Sequence, residues 1–231
     1  RVWIRPVPHT RSIIFVPPVC RPLELGWPRS KRVRPEPLLR GALKCSLGCL
    51  SWRRRSDHHV LRRREYAELT RLITSGEGGT TVSISTALHG SGGFGKTTIA
   101  SALCHDDDII TCFDGGILWV TLGQTPNVLG ALFKLHLAMT GERPPFVDIE
   151  DAATALARQM ESANCLIVID DVWDSAHLVP LLRATPKCTR LFTTRRFDVA
   201  SNHADHPIVV DEMTTSEATA MLARHQAPVD D

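Results

Sequence analysis

His89-Gly90-Ser91-Gly92-Gly93-Phe94-Gly95-Lys96-Thr97-Thr98 is the stretch on which the reading of the whole chain turns. From Gly90 to Thr97 it spells G-x-x-x-x-G-K-T. Its glycines let the backbone curl until successive N–H groups point at one spot. A lysine and a threonine hydroxyl follow directly. Ile99 and Leu103, with alanines between, predict a helix begun at Thr97, whose positive dipole end faces the same spot. Converging N–H groups, an ammonium and a helix N-terminus make a cradle for phosphate. Lys96 suits the β- and γ-phosphates, and the Thr97 hydroxyl suits an accompanying Mg2+ ion. Before the cradle, Thr80–Leu88 carries Thr81-Val82-Ser83-Ile84 and reads as a strand. Strand, glycine loop and helix together are a P-loop. Gly90, Ser91, Gly92, Gly93, Phe94, Gly95, Lys96, Thr97 and Thr98 are its candidate nucleotide-binding residues.

A phosphate-bound Mg2+ also needs an acid at the end of another strand. Cys165-Leu166-Ile167-Val168-Ile169-Asp170-Asp171 supplies a fully apolar run, as in a parallel strand buried on both faces, ending in two carboxylates. Asp170 is expected to hold the metal's hydration shell, and Asp171 to orient or deprotonate an attacking water. Read alone, such a strand end is a weak motif, equally explained by a helix cap. Paired with the P-loop it becomes specific.

Working outward, Gly116–Leu122, Thr189–Thr194 and Pro207–Val210 read as further strands. Arg62–Thr74, Val128–Met139 and Asp148–Ser162 place apolar residues at helical spacing. Thr214-Thr215-Ser216-Glu217 has the form of a capping box opening a last helix. Strands alternating with helices predict an α/β class: a three-layer P-loop NTPase with a parallel sheet flanked by helices. The extra strand between P-loop and acid strand is the layout of the additional-strand P-loop ATPases.

The overall charge of +2 hides an uneven distribution: residues 1–65 carry a net +12 and residues 66–231 a net −10. Eight of the 15 prolines precede residue 38, which excludes a long helix or a central strand there. Residues 1–56 are therefore expected to form a disordered or irregular basic segment, and residues 57–231 the ordered domain. Arg53–Arg55 beside Trp52 admits a competing reading, contact with nucleic acid through phosphates and stacked bases. The Arg-rich composition also resembles a transit peptide. Cys45 and Cys49 with His58 and His59 have a permissible zinc spacing, but adjacent histidines do not readily share one tetrahedral ion.

No apolar run reaches the length of a membrane-spanning helix, so no membrane partner is expected. Seven scattered cysteines argue against a disulfide scaffold and for a reducing cytoplasm. The chain begins with Arg1 and its first methionine is Met139, which reads as a fragment.

Residues from about 57 to 228 resemble the nucleotide-binding part of the NB-ARC family, the signal-transducing STAND NTPases. The resemblance rests on GSGGFGKTT (90–98), ILWVTLGQ (117–124), LIVIDDVWD (166–174), LFTTRRFDVA (191–200) and VVDEMTTSEATAMLARH (209–225). It implies an ADP/ATP-binding switch with slow hydrolysis at most. It makes Arg195 a sensor of the γ-phosphate, and places Val60 and Arg62 where relatives contact adenine. Trp173, also shared with relatives, is expected to serve in core packing. The family's Gly-Leu-Pro motif and winged-helix histidine are not in this sequence, so its end is expected to fall at the start of the ARC helical region. Protein partners or self-association are expected through segments not in this sequence. Two further readings compete. A partitioning ATPase is disfavoured by Ser91 at that family's signature lysine, and a non-functional remnant would bind nothing.

Overall fold

A computed structural model describes residues 15–16, 62–75, 78–86, 93–143 and 145–225. The Cys45, Cys49, His58 and His59 group, and the basic segment apart from residues 15–16, lie outside the described residues.

The chain alternates strands and helices, as the apolar pattern requires. After β1 (Phe15–Val16) come α1 (Arg63–Thr74), β2 (Thr81–Ser85), α2 (Lys96–Cys104), α3 (Asp107–Cys112), β3 (Gly116–Thr121) and α4 (Val128–Thr140). The remainder is α5 (Ile149–Gln159), β4 (Cys165–Val172), α6 (Ser175–Ala184), β5 (Thr189–Thr194), α7 (Phe197–His203), β6 (His206–Val209) and α8 (Thr215–His225). Five parallel strands stand in the order β3-β4-β5-β2-β6, and β1 pairs antiparallel with the outer edge of β3.

The order refines the expected layout. In sequence, β3 lies between the cradle and the acid strand. In space β3 is outermost of the three, and β5 is the strand between β2 and β4. The additional strand is therefore β5, reached by a crossover through α6.

Alternation along the strands divides the core between the two faces of the sheet. On β4, Cys165, Ile167 and Ile169 face one cluster, with Leu132, Leu156 and Leu178 from α4, α5 and α6. Leu166 and Val168 face the other, with Leu69, Ile99, Leu103 and Ile109 from α1, α2 and α3. A strand covered on both sides has no polar position until its end, which is why β4 is continuous in hydrophobicity up to Asp170. The result is the expected three-layer α/β sandwich. Among the described residues, no helix is long and apolar enough to cross a membrane.

Helix starts follow from short polar side chains. Asp106, Asn127, Asp148 and Asp174 each accept a hydrogen bond from a first-turn N–H of α3, α4, α5 and α6. At α8 the capping box closes in both directions. The Thr214 N–H donates to Glu217 at 2.8 Å, and the Glu217 N–H donates to Thr214 Oγ1 at 3.3 Å.

The end of the sheet away from the cradle is fastened by Arg190, the second residue of β5. Its Nη1 donates to the Leu182 carbonyl at 3.2 Å and its Nη2 to the Gly79 carbonyl. Burial lowers its pKa, against the pull of Asp205. Gly79 cannot easily be replaced there: its φ is +94°, and a Cβ would lie 2.9 Å from the Pro186 carbonyl oxygen. Arg190→Met would strand two carbonyls together, so a loss of about 2–4 kcal/mol in urea unfolding is expected. A loss below about 0.5 kcal/mol would show the guanidinium to be ornamental.

Candidate functional site

Parallel strands place their C-terminal ends on one edge, so the loops after β2, β4 and β5 meet there. The described part of the cradle begins at Gly93; Gly90, Ser91 and Gly92 lie outside the described residues. Gly93 and Gly95 have φ of +88° and +83°, and a Cβ at either would meet nothing within 4 Å. Here glycine serves backbone conformation, and the space above the loop is open. Gly95 is the N-cap of α2, so the first turn of that helix presents its N–H groups to the same opening.

The cleft, about 210 Å³, is lined by residues 93–98 together with Asp171, Thr193, Thr194 and Arg195. Lys96 is only 8% exposed, and its ammonium lies 5.9 Å from the centre of the Phe94 ring. Burial pushes its pKa down and the Arg195 charge pushes it further, while Asp171 and Asp170 oppose both. Two cations that repel one another in a half-closed cleft will favour an anion between them.

Asp170 is the buried acid of the site, 5% exposed. One of its oxygens, Oδ1, accepts from Thr97 Oγ1 at 2.8 Å and from Thr193 Oγ1 at 2.7 Å. The structure thus brings together the two side chains assigned by sequence to Mg2+, although they lie on different elements 73 residues apart. A carboxylate and a hydroxyl are hard oxygen donors of the kind Mg2+ takes, in a set small enough to leave room for phosphate oxygens and water. Among the described residues there is no cluster of three His, Cys, Asp or Glu side chains that would suit a metal held by protein alone.

Asp171 reaches the cleft by a kink. Its φ is +58°, the left-handed region, at a register shift between Ile169 and Val172. The strand read from sequence as Cys165–Asp171 continues through this bulge to Val172. The Asp171 N–H donates to Thr193 Oγ1 at 2.9 Å, and its carbonyl accepts from the Gly123 N–H at 3.0 Å. Without the bulge, consecutive carboxylates on a strand would point to opposite faces of the sheet. With it, Asp170 meets Thr97 while Asp171 lines the cleft.

The two arginines after β5 separate. Arg196 turns outward and pairs with Asp198 at 2.5 Å, both about half exposed. Arg195 stays in the cleft wall, its Nε 3.9 Å from Asp171 Oδ1 and its guanidinium carbon 5.1 Å from the centre of the Trp173 ring.

Arg62 is not among the residues lining the cleft. It caps α1, is 4% exposed, and its Nη1 donates to the Glu212 carbonyl at 3.3 Å, tying α1 to the segment before α8. Val60 lies outside the described residues. Sequence reasoning passed over Thr193 and Thr194. Their signal was available: two hydroxyls following the apolar pair Leu191-Phe192 at the end of the strand, directly before Arg195.

Residues 69–229 match the family described as NB-ARC domain. Regulatory protein AfsR of Streptomyces griseus is 30% identical over 167 residues, which is 68% of this chain and 16% of that protein. Apoptotic protease-activating factor 1 of Homo sapiens is 33% identical over 119 residues, 47% of this chain and 9% of that protein. The chain spans less than a fifth of the length of either relative. A solved structure of Drosophila ORC bound to DNA is similar at a TM-score of 0.54 and 12% identity, over 90% of this chain and 56% of that one. At that identity the likeness is one of fold alone.

Proposed function

The chain belongs to the NB-ARC family, the nucleotide-binding module of STAND-like ATPases, and from that premise we propose that it binds ADP and ATP with Mg2+ as part of a signalling switch, with slow hydrolysis at most. The observation that carries this reading is the convergence of Lys96, the Thr97–Asp170 contact and Arg195 on one cleft at the start of α2.

Each residue has a role that follows from its position. The N–H groups of residues 93–98 and the Lys96 ammonium bind the phosphates. Thr97 and Asp170 would hold Mg2+, which when bound neutralises phosphate charge. Arg195 meets the terminal phosphate of ATP. Asp171 orients a water or accepts its proton. The same Asp171 faces the Arg195 cation, with its Oδ1 3.9 Å from Arg195 Nε. Arg62, held at the start of α1, is assigned to the adenine end together with Val60. The setting is cytoplasmic, with protein partners or self-association.

Thermal melting with and without Mg·ADP tests the reading. A ligand at 100 times its Kd stabilises the native state by about 2.7 kcal/mol. For a domain of this size that is a rise of roughly 5–10 °C in Tm. An unchanged Tm at millimolar Mg·ADP and Mg·ATP would reject it.

A further inference from the structure

Sequence reasoning assigned Trp173 to the core, yet its ring lies beside a cleft cation. The placement is built into the sheet. Val172 and Thr194 are paired at the ends of β4 and β5, so the next residues, Trp173 and Arg195, emerge side by side. Thr194 Oγ1 donates to the Val172 carbonyl at 2.8 Å and clamps the two strand ends together. The Trp173 carbonyl accepts from Arg196 Nη1 at 3.5 Å, and Arg196 is itself anchored by Asp198. The indole is therefore held from its own backbone, and the Arg195 guanidinium lies 5.1 Å from its centre.

An aromatic face attracts a cation through its quadrupole without cancelling its charge. A close carboxylate would fix the guanidinium equally well but would neutralise it. The carboxylate that faces Arg195 is Asp171, whose Oδ1 lies 3.9 Å from Arg195 Nε, the outer limit of an ion pair. The indole fixes the position, and the in-plane N–H donors remain available to an incoming oxyanion.

We propose that Trp173 is the positioning residue for Arg195, and that through it the ring sets how strongly the cleft prefers a nucleoside triphosphate over a diphosphate. This rests on the reading of the cleft as a nucleotide site. Only the terminal phosphate of a triphosphate would gain from a correctly held Arg195, so the effect belongs to ATP and not to ADP.

The test measures Kd for Mg·ADP and for a Mg-bound, non-hydrolysable ATP analogue by calorimetry on the full chain. The variants are Trp173→Leu, Trp173→Phe, Arg195→Gln and the double variant Trp173→Leu/Arg195→Gln. Trp173→Leu is expected to weaken the ATP analogue by about 5–10-fold while ADP stays within about twofold. Trp173→Phe, which keeps an aromatic face, should recover most of the difference. The double variant should bind the ATP analogue no more weakly than Arg195→Gln alone, as for two residues acting as one unit.

A residue that only fills space would weaken both nucleotides together, or neither, and either result overturns the proposal. So does a double variant in which the two losses add. If Arg195→Gln leaves the ADP-to-ATP preference unchanged while the wild type binds both nucleotides, the platform fails and the nucleotide site stands. If the wild type binds neither, both fall. Unchanged ADP affinity in Trp173→Leu also serves as the folding control.

Discussion

Lys96→Met should lose at least about 100-fold in affinity for a fluorescent ADP analogue while the protein melts no lower than wild type. The loss follows from removing the one ammonium in the cradle. Charge-assisted hydrogen bonds contribute about 1.5–3 kcal/mol each, and two of them correspond to roughly 100-fold or more at about 1.4 kcal/mol per tenfold. The unchanged melting follows from the environment of Lys96. Burial and the nearby Arg195 both disfavour its charged form in the ligand-free protein. A folded-state pKa below the unfolded one costs a lysine stability at neutral pH, so a methionine of similar length relieves that cost. A functional cation that the fold would be more comfortable without is the signature to look for. Equal affinity in variant and wild type would end the nucleotide reading, and a collapse in Tm would mean that the lysine holds the loop together.

The second large effect concerns the acid. Asp170→Asn keeps the shape of the side chain, and its amide oxygen can still accept from Thr97 and Thr193, the two bonds that now converge on Oδ1. What it removes is the negative charge. Titrating the ATP analogue with Mg2+ and with EDTA should therefore show the Mg-dependent gain in affinity falling by about 10-fold or more, with metal-free binding nearly unchanged. Loss of one hydrogen-bonded charged group from a divalent-cation site is a matter of at least about 1.5–3 kcal/mol. A variant that retains full Mg2+ dependence would remove Asp170 from the metal's coordination or hydration shell.

The legible parts of this fold are those written in local chemistry. An all-apolar run ending in Asp170-Asp171, a glycine loop ending in Lys96-Thr97 and a Thr214/Glu217 box each state their structure within a few residues. The helices missed at the sequence level were short or interrupted. α3 has six residues and α7 seven, too few for a periodic pattern to be distinguished from a loop. α6 carries Pro180 inside it, which argues against a helix on propensity alone. That helix forms because Asp174 caps it and because Leu178 and Leu181 bury against the sheet.

The non-local parts were harder to read. That β5, rather than β3, separates the cradle from the acid strand depends on the direction of a crossover. That Arg195 faces the cleft and Arg196 the solvent is settled by Asp198 two residues on, and by a tryptophan 22 residues earlier. Trp173 looked like packing because aromatic residues after a strand usually are. Nothing in its own neighbourhood in sequence names the guanidinium it meets.

The backbone at Asp171 bears on how mutants of this site must be chosen. Left-handed φ is tolerated by asparagine, aspartate and glycine, and costs other residues about 1–2 kcal/mol. Asp171→Asn therefore asks about charge alone. Asp171→Ala asks about charge and conformation together, because it also invites the bulge to relax and to carry Asp170 and Gly123, its immediate partners in that turn, out of place. An inactive alanine variant at this position would be the expected result under almost any chemistry. The informative pair is asparagine against glycine, which share the backbone and differ in whether a polar side chain remains to hold a water.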